Sequence, residues 1–248
     1  MLSLKQIHPA PGRDVSAADA YARPDGVARH VCVNMVSSVD GAATIEGRVG
    51  ALTGPADQEL LGILRSLSDV LLVGAATVRA EGYGPVVTMP ELAERRRTAG
   101  QEPAPRLAML TRALDLDLAS RAFTAAVARP VLITTERAAP ERLAAARAVA
   151  DVVIAGEESV DLRTALDVLA DRGLPRILSE GGPRVLAQLF SDDLVDELCL
   201  AISPVVVSGA GQRIMSGPAL PQPVPMRLAA AFEEDGFLFT RYLRSPRE

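Results

Sequence analysis

Two hydrophobic patterns alternate along the chain: short, nearly continuous apolar runs, and longer segments in which leucine or alanine recurs every three or four residues. The first apolar run, HVCVNMVSS at 30–38, is rich in valine and is followed by the turn dipeptide Asp40-Gly41. Such a run predicts a strand that is buried on both faces. The same pattern predicts further strands at 106–110, 130–135, 151–155 and 176–180, and within 69–82 a strand that continues into a short helix.

The intervening segments carry helix signals. The segment 53–68 predicts a helix, because Pro55 is tolerated in a first turn and three leucines share one face. Asp57, in that first turn, is interpreted as an acid that interacts favourably with the positive end of the helix dipole. Two more helices are predicted, one from Pro140 and one over 161–173.

Alternation of buried strands and amphipathic helices predicts an α/β fold, with a mostly parallel central sheet covered on both sides. The end of the chain differs. A long apolar run at 196–207 is followed by two runs that flank the dipeptide Asp235-Gly236, the usual sign of an antiparallel hairpin. We therefore expect a mixed sheet with a C-terminal antiparallel hairpin.

The first 28 residues carry prolines and little periodicity, so we expect an N-terminal arm over 1–28 and a single domain over 29–248, with regular structure beginning at Arg29. The most polar segment, 89–106, is interpreted as a solvated loop with a short helix. Strands of the same sheet are predicted on both sides of it, so it does not mark a domain boundary.

Composition narrows the classes of function. The 26 Lys+Arg and 31 Asp+Glu residues give a formal charge of -5, with 48% hydrophobic residues. Broad binding to nucleic acid or to an anionic membrane is disfavoured, because it depends on neutralising phosphates with Lys and Arg. No apolar run reaches the roughly 18 residues that a membrane span needs. We expect a cytoplasmic protein.

Few residues are available for metal or thiol chemistry. Cys32 and Cys199 lie in apolar runs and are interpreted as buried core residues. With only His8 and His30, and no spacing typical of zinc ligands, neither a metal site nor a Ser-His-Asp triad is expected. Any chemistry is therefore expected to depend on an organic cofactor.

Small residues follow three of the predicted strands, in SSVDGAA, VGAATVRAEG and SEGGPRVL. In an α/β sheet, ligands bind beyond the carboxyl ends of the strands, where helix N-termini present free N–H groups to phosphates. Glycine allows the backbone to approach a pyrophosphate closely. The GxGxxG fingerprint is absent after the first strand, which excludes the usual Rossmann motif.

Four motifs, in this order, resemble one family: SSVDG at 37–41, LRSLSDVLLVGAATVRAEG at 64–82, ILSEGGPRVLAQLF at 177–190 and LVDELCLAISPVVVSGAG at 194–211. The chain is similar to the reductase domain of the bifunctional riboflavin-biosynthesis deaminase/reductase over roughly residues 29–244. The resemblance implies a dihydrofolate reductase-like, three-layer α/β/α fold. It also implies NADPH-dependent reduction of a ribosylaminopyrimidine, such as 5-amino-6-(5-phosphoribosylamino)uracil, in which the ribosyl group becomes ribityl.

The resemblance implies a cofactor site with four parts: the nicotinamide half beside the first strand, two phosphate-binding loops, and an adenosine ribose with its 2′-phosphate. These parts correspond to Val36 and Ala51; to Gly74, Ala75, Thr77 and Glu81; to Gly181, Gly182, Pro183, Arg184, Val185 and Leu186; and to Thr111 and Arg112.

On the substrate side, the resemblance implies Asp40, Arg65 and Glu180. Asp40 and Glu180 are the acids expected near the strand ends, so we assign both as candidates to orient the substrate and relay a proton. A turn-forming role for Asp40 and a helix-dipole role for Glu180 remain open as alternatives.

Departures from the family leave the substrate open. No Lys or Arg lies between Arg79 and Arg95, and Asn34 stands where the family commonly has lysine. The zinc deaminase half is missing, so a stand-alone reductase is expected. Reduction of a pterin such as dihydrofolate and a noncatalytic dinucleotide-binding protein remain alternatives. Relatives of this kind are commonly dimers, which implies a homodimer.

Overall fold

The computed structural model describes residues 1–24 and 26–245. Asp25, within the predicted arm, and residues 246–248 lie outside the described residues. The strands are β1 (Ser3–His8), β2 (Asp14–Ser16), β3 (His30–Ser38), β4 (Val70–Gly74), β5 (Arg106–Leu110), β6 (Val131–Thr134), β7 (Asp151–Ile154), β8 (Arg176–Ser179), β9 (Glu197–Ser203), β10 (Met226–Glu234) and β11 (Phe237–Arg244). The α-helices are α1 (Ala17–Ala20), α2 (Pro55–Ser66), α3 (Ala75–Glu81), α4 (Ala93–Thr98), α5 (Arg121–Thr124), α6 (Pro140–Val149), α7 (Leu162–Asp171) and α8 (Pro183–Ser191).

These strands form one sheet in the order β2-β1-β10-β11-β9-β3-β8-β4-β5-β6-β7. Neighbouring strands are parallel from β9 to β7 and antiparallel from β2 to β9. The predicted mixed, mostly parallel α/β sheet is therefore confirmed. So is the C-terminal hairpin, in which Asp235 and Gly236 both have positive φ, as a tight two-residue turn requires.

Both faces of the sheet are covered, as the continuous apolar runs predicted. In β4, Leu71 packs into the core that contains Leu64 of α2, whereas its neighbour Leu72 packs on the opposite face with Leu166 of α7. Successive side chains of a strand point to opposite faces, so an unbroken apolar run is buried only if helices lie on both sides. The arrangement has three layers.

Regular structure begins earlier than the sequence predicts, because β1 pairs with β10 and adds an edge to the sheet. Within residues 1–9 only Leu2 and Leu4 are buried hydrophobics, so the periodicity around β1 is too short to recognise. Further along the predicted arm, Arg23 ties the chain to the sheet by a buried ion pair with Glu197 of β9. The division into an arm and a domain stays a prediction.

The polar segment 89–106 contains a buried arginine, which its polar composition did not predict. It forms a 3-10 turn at Pro90–Leu92 and then α4. Arg96 is only 2% exposed, and its guanidinium donates hydrogen bonds to the carbonyl oxygens of Ser66, Ser68 and Glu102. The segment is therefore clamped to the end of α2 rather than solvated along its whole length.

The two cysteines are buried, as predicted, and they are unbridged, with their Sγ atoms 3.5 Å apart between β3 and β9. Within the described ranges, no helix combines the length and apolar character needed to cross a membrane.

Candidate active site

A cavity of about 880 Å³ lies where β3, β4 and β8 end. We call it the strand-end cavity. Its walls come from the end of β3, the loop between β3 and α2, one face of α2, the chain from α3 to Pro90, the Gly182-Pro183 turn after β8, and residues 212–214. Open α/β sheets bind ligands beyond the carboxyl ends of their strands, and this cavity occupies that position.

Two glycine-containing loops meet beside the cavity. The N–H of Gly74 donates to the carbonyl of Gly181 at 3.1 Å. A Cβ atom on Gly182 would lie 2.8 Å from Oγ1 of Thr77, and one on Gly74 would lie 3.2 Å from a methyl group of Val185. The loops after β4 and β8 therefore pack so closely that larger residues would push them apart.

The N-terminal end of α8 faces the same region and has no capping side chain, since its N-cap residue is Gly182. Uncapped N–H groups at a helix start can bind phosphate oxygens. Leu186 is fully buried, so its side chain is not available to a ligand. Val36, a predicted cofactor residue at the end of β3, lines the cavity.

The other predicted cofactor residues lie around this centre. Thr111 is buried and Arg112 is exposed at the end of β5, next to β4 in the sheet. Glu81 lines the cavity and is exposed, whereas Ala51 is exposed beside the lining residue Gly50. Ala75 is buried at the start of α3, and Arg184 is exposed on α8.

The predicted substrate residues Arg65 and Glu180 lie together on the cavity wall. The guanidinium of Arg65 donates two hydrogen bonds of 2.6 Å, one to each carboxylate oxygen of Glu180. The hydroxyl of Tyr83 donates a third at 2.8 Å, and the Arg65 guanidinium lies 5.7 Å from the centre of the Tyr83 ring. Burial, followed by the neighbouring Glu180 carboxylate, raises the pKa of Tyr83, so it remains a donor.

Tyr83 was missed in the sequence because it follows the end of α3. Gly82 takes a left-handed conformation with φ of 63° and turns the chain back toward the sheet. That turn aims Tyr83 at Glu180, on a different strand end. The Glu-Gly-Tyr order signals a helix C-terminus but not the direction of the following residue.

Asp57 lies in the first turn of α2, as the sequence predicted, but its burial in the cavity wall was missed. It is only 6% exposed and lines the cavity from α2. Burial raises the pKa of Asp57 to about 6. Its carboxylate makes no hydrogen bond or ion pair with any residue that the structure describes. The available signal was its position: residues 57, 60, 61 and 64 share a helix face, so Asp57 interrupts an apolar stripe.

Asp40, the other predicted acid, is exposed and does not line the cavity. Its carboxylate accepts hydrogen bonds from the hydroxyl of Ser38 at 2.6 Å and from the N–H groups of Val207 and Ser208 at 3.1 and 2.7 Å. These bonds, that from Ser38 first, lower the pKa of Asp40 to about 2. Asp40 therefore joins the loop after β3 to the loop after β9.

Comparisons with known proteins agree with this geometry. The model of the RibD C-terminal domain family matches residues 29–235. The 2,5-diamino-6-ribosylamino-4(3H)-pyrimidinone 5′-phosphate reductase of Archaeoglobus fulgidus is 31% identical over 181 residues, which are 73% of this chain and 82% of that protein.

Two solved structures are similar over nearly the whole chain. A pyrimidine reductase-like protein of Corynebacterium diphtheriae is 27% identical, with a TM-score of 0.83, and the match covers 94% of this chain and 100% of that one. The riboflavin biosynthesis reductase of Saccharomyces cerevisiae is 16% identical, with a TM-score of 0.69 and coverage of 92% and 98%, and shares the fold. The resemblance seen in the sequence is confirmed, and the chain belongs to the RibD C-terminal domain family.

Proposed function

We propose that this protein is an NADPH-dependent reductase of riboflavin biosynthesis that converts the ribosyl group of a ribosylaminopyrimidine 5′-phosphate to a ribityl group. The observation that carries the proposal is the strand-end cavity, which joins the glycine loops after β4 and β8 to the Arg65–Glu180–Tyr83 cluster. The names of the relatives from Archaeoglobus fulgidus and Methanothermobacter thermautotrophicus support the class of substrate.

The residues present fit a dinucleotide. The close approach of Gly74, Gly182 and Thr77 leaves backbone at the surface, where a pyrophosphate needs it, and the uncapped start of α8 is beside it. Arg112 has an exposed guanidinium without a partner among the described residues, so it can bind a 2′-phosphate in bidentate fashion. When bound, NADPH supplies a hydride.

The protein side chains on the substrate side of the cavity have separate roles. We assign to Glu180 the orientation of the ribosyl hydroxyls, with Arg65 and Tyr83 holding its carboxylate in place. Accurate placement of the reacting carbon is the main requirement of hydride transfer, and a proton must reach the developing nitrogen charge. The catalytic role of Asp40 stays a prediction. Its carboxylate is engaged by Ser38 and two N–H groups, and these contacts favour a structural role.

Reduction of a pterin is the second candidate. Arg65 is engaged by Glu180, which leaves Arg213 as the one cavity-lining cation without a partner in the described part of the chain. A cavity with so few free cations also suits a flat heterocycle that carries no phosphate. Dinucleotide binding without catalysis is the third candidate function.

We further propose a cytoplasmic homodimer. The exposed side chains of Val39, Val205 and Val206, from the loops after β3 and β9, support an interface. Light scattering of the purified protein tests the homodimer: a single species with the mass of one chain would contradict it.

Oxidation of NADPH, followed separately with the ribosylaminopyrimidine phosphate and with dihydrofolate, tests the proposed function. Turnover of the first alone supports it. Turnover of dihydrofolate alone supports the pterin reading, and NADPH binding without turnover of either supports a noncatalytic protein.

A further inference from the structure

Asp57 is the buried acid of the strand-end cavity whose carboxylate has no hydrogen-bond or ion-pair partner among the described residues. It lies in the first turn of α2, whose residues Leu61, Gly62 and Arg65 line the same wall. Every other acid of the cavity is either paired or exposed: Glu180 binds Arg65, and Glu81 is solvated. A buried carboxylate without hydrogen bonds is unfavourable, so a ligand that supplies N–H donors gains a strong partner there.

Neighbouring side chains do not compensate Asp57. The adjacent Gln58 uses its amide Nε2 to donate to Oγ1 of Thr53 at 3.3 Å. Arg65 lies two turns further along α2, and its Nε and Nη2 atoms donate to Glu180. The Asp57 carboxylate is therefore free to accept hydrogen bonds from a heterocycle that occupies the cavity.

The two forms of a ribosylaminopyrimidine differ at the edge that such an acceptor would read. A 2-amino-4-oxopyrimidine presents two adjacent donors, the ring N3–H and the exocyclic 2-amino group, which together match the two oxygens of a carboxylate. A uracil presents N3–H between two carbonyl oxygens, so one carboxylate oxygen would face an acceptor. A site built around a hydrogen bond rejects the analogue that cannot make it more strongly than an apolar pocket rejects an extra methylene group.

We propose that Asp57 is the specificity-determining residue of this protein, binding the N3–H and 2-amino edge of a 2-amino-4-oxopyrimidine and rejecting the 2-oxo form. The proposal rests on the proposed function for the identity of the substrate. It assigns Asp57 to substrate recognition and leaves hydride and proton transfer to other groups.

The test compares two substrates that differ at this edge, 2,5-diamino-6-ribosylamino-4(3H)-pyrimidinone 5′-phosphate and 5-amino-6-ribosylaminouracil 5′-phosphate, in the parent protein, Asp57→Asn and Glu59→Gln. An amide can accept from N3–H and donate to the 2-oxo group. Asp57→Asn should therefore lower the preference in kcat/KM for the 2-amino substrate by about tenfold or more. Glu59→Gln is the matched control, an acid-to-amide change on the same helix outside the cavity wall, and should keep the parent preference. Equal losses for both substrates in Asp57→Asn would overturn the proposal.

Binding of the small heterocycles isocytosine and uracil, measured by calorimetry without cofactor or turnover, separates this proposal from the proposed function. The parent protein should bind isocytosine more tightly than uracil by about tenfold, and Asp57→Asn should remove the difference. If that result is found while neither ribosyl substrate is reduced, the proposed function fails and the role of Asp57 stands. Equal affinities in the parent protein would overturn the role of Asp57 even if the enzyme is active.

Discussion

Arg65 and Glu180 are joined by two parallel hydrogen bonds of 2.6 Å, and this pair forms one wall of the cavity at the strand ends. The side chain of Glu180 is 7% exposed and that of Arg65 is 30% exposed, so both groups are largely removed from water. The Nε and Nη2 donors of Arg65 are both directed at the carboxylate of Glu180. Their effect is to fix Glu180 as an oriented acceptor.

Glu180→Gln should lower kcat/KM by roughly a hundredfold, because it removes the charged acceptor that orients the ribosyl hydroxyls, and hydrogen bonds to a charged group contribute up to about 3 kcal/mol. Steady-state kinetics with the ribosylaminopyrimidine phosphate measures this. The Kd for NADPH, measured by fluorescence, should change by less than about threefold. A variant as active as the parent protein would remove Glu180 from the site.

Tyr83→Phe should lower kcat/KM by about fivefold, since it deletes the hydroxyl that donates to Glu180 at 2.8 Å but keeps the ring beside Arg65; a hydrogen bond of this kind contributes about 1 kcal/mol. Tyr83→Ala, which also removes the ring, should have the larger effect. If the two variants lose the same activity, the ring has no positioning role.

Asp40→Asn separates two interpretations of that acid. The sequence favours a catalytic role, in which turnover falls far more than NADPH binding. The contacts with Ser38, Val207 and Ser208 favour a structural one, in which the melting temperature falls and kcat changes by less than about threefold. We expect the structural outcome. A large loss of kcat at an unchanged melting temperature would support the catalytic role.

Asp57→Asn should stabilise the protein at neutral pH. Burial raises the pKa of Asp57 from 3.8 to about 6, so the folded state holds this proton more tightly than the unfolded state. The cost of ionising the buried group is absent at low pH and reaches about 3 kcal/mol above pH 6. Urea unfolding at pH 7.5 should show a free energy of unfolding that is higher for Asp57→Asn than for the parent protein by about 3 kcal/mol. At pH 4 the difference should be less than about 1 kcal/mol. A variant less stable than the parent at pH 7.5 would contradict the unsatisfied state of this carboxylate.

Arg112→Ala should reduce the preference for NADPH over NADH by about tenfold or more, because it removes a charge-assisted contact with the 2′-phosphate. The ratio of Kd values for the two dinucleotides measures this directly. An unchanged ratio would place the 2′-phosphate elsewhere.

The fold was largely predictable because its signals are local. The run from Val70 to Gly74 is apolar on both faces, and the Asp235-Gly236 turn requires positive φ at both positions. β1 was not predictable, because its few buried residues become a strand only by pairing with β10, far along the chain.

The site was predictable in part. Glu180 follows a strand and could be placed at the edge of the sheet from the sequence. Tyr83 could not, and for Asp57 the sequence offered only an interrupted apolar stripe, because their roles depend on the direction in which a turn or a helix face points after packing. An acid in a first helical turn usually interacts with the dipole, and only the tertiary placement of α2 turns Asp57 toward the cavity.

The most direct test of the account is reduction of 2,5-diamino-6-ribosylamino-4(3H)-pyrimidinone 5′-phosphate by the purified protein with NADPH, with the product identified by mass spectrometry. We predict that one NADPH is oxidised for each substrate molecule and that the product is the ribityl compound, heavier by two hydrogen atoms. Tight binding of NADPH with no such product, while dihydrofolate is reduced, would contradict it.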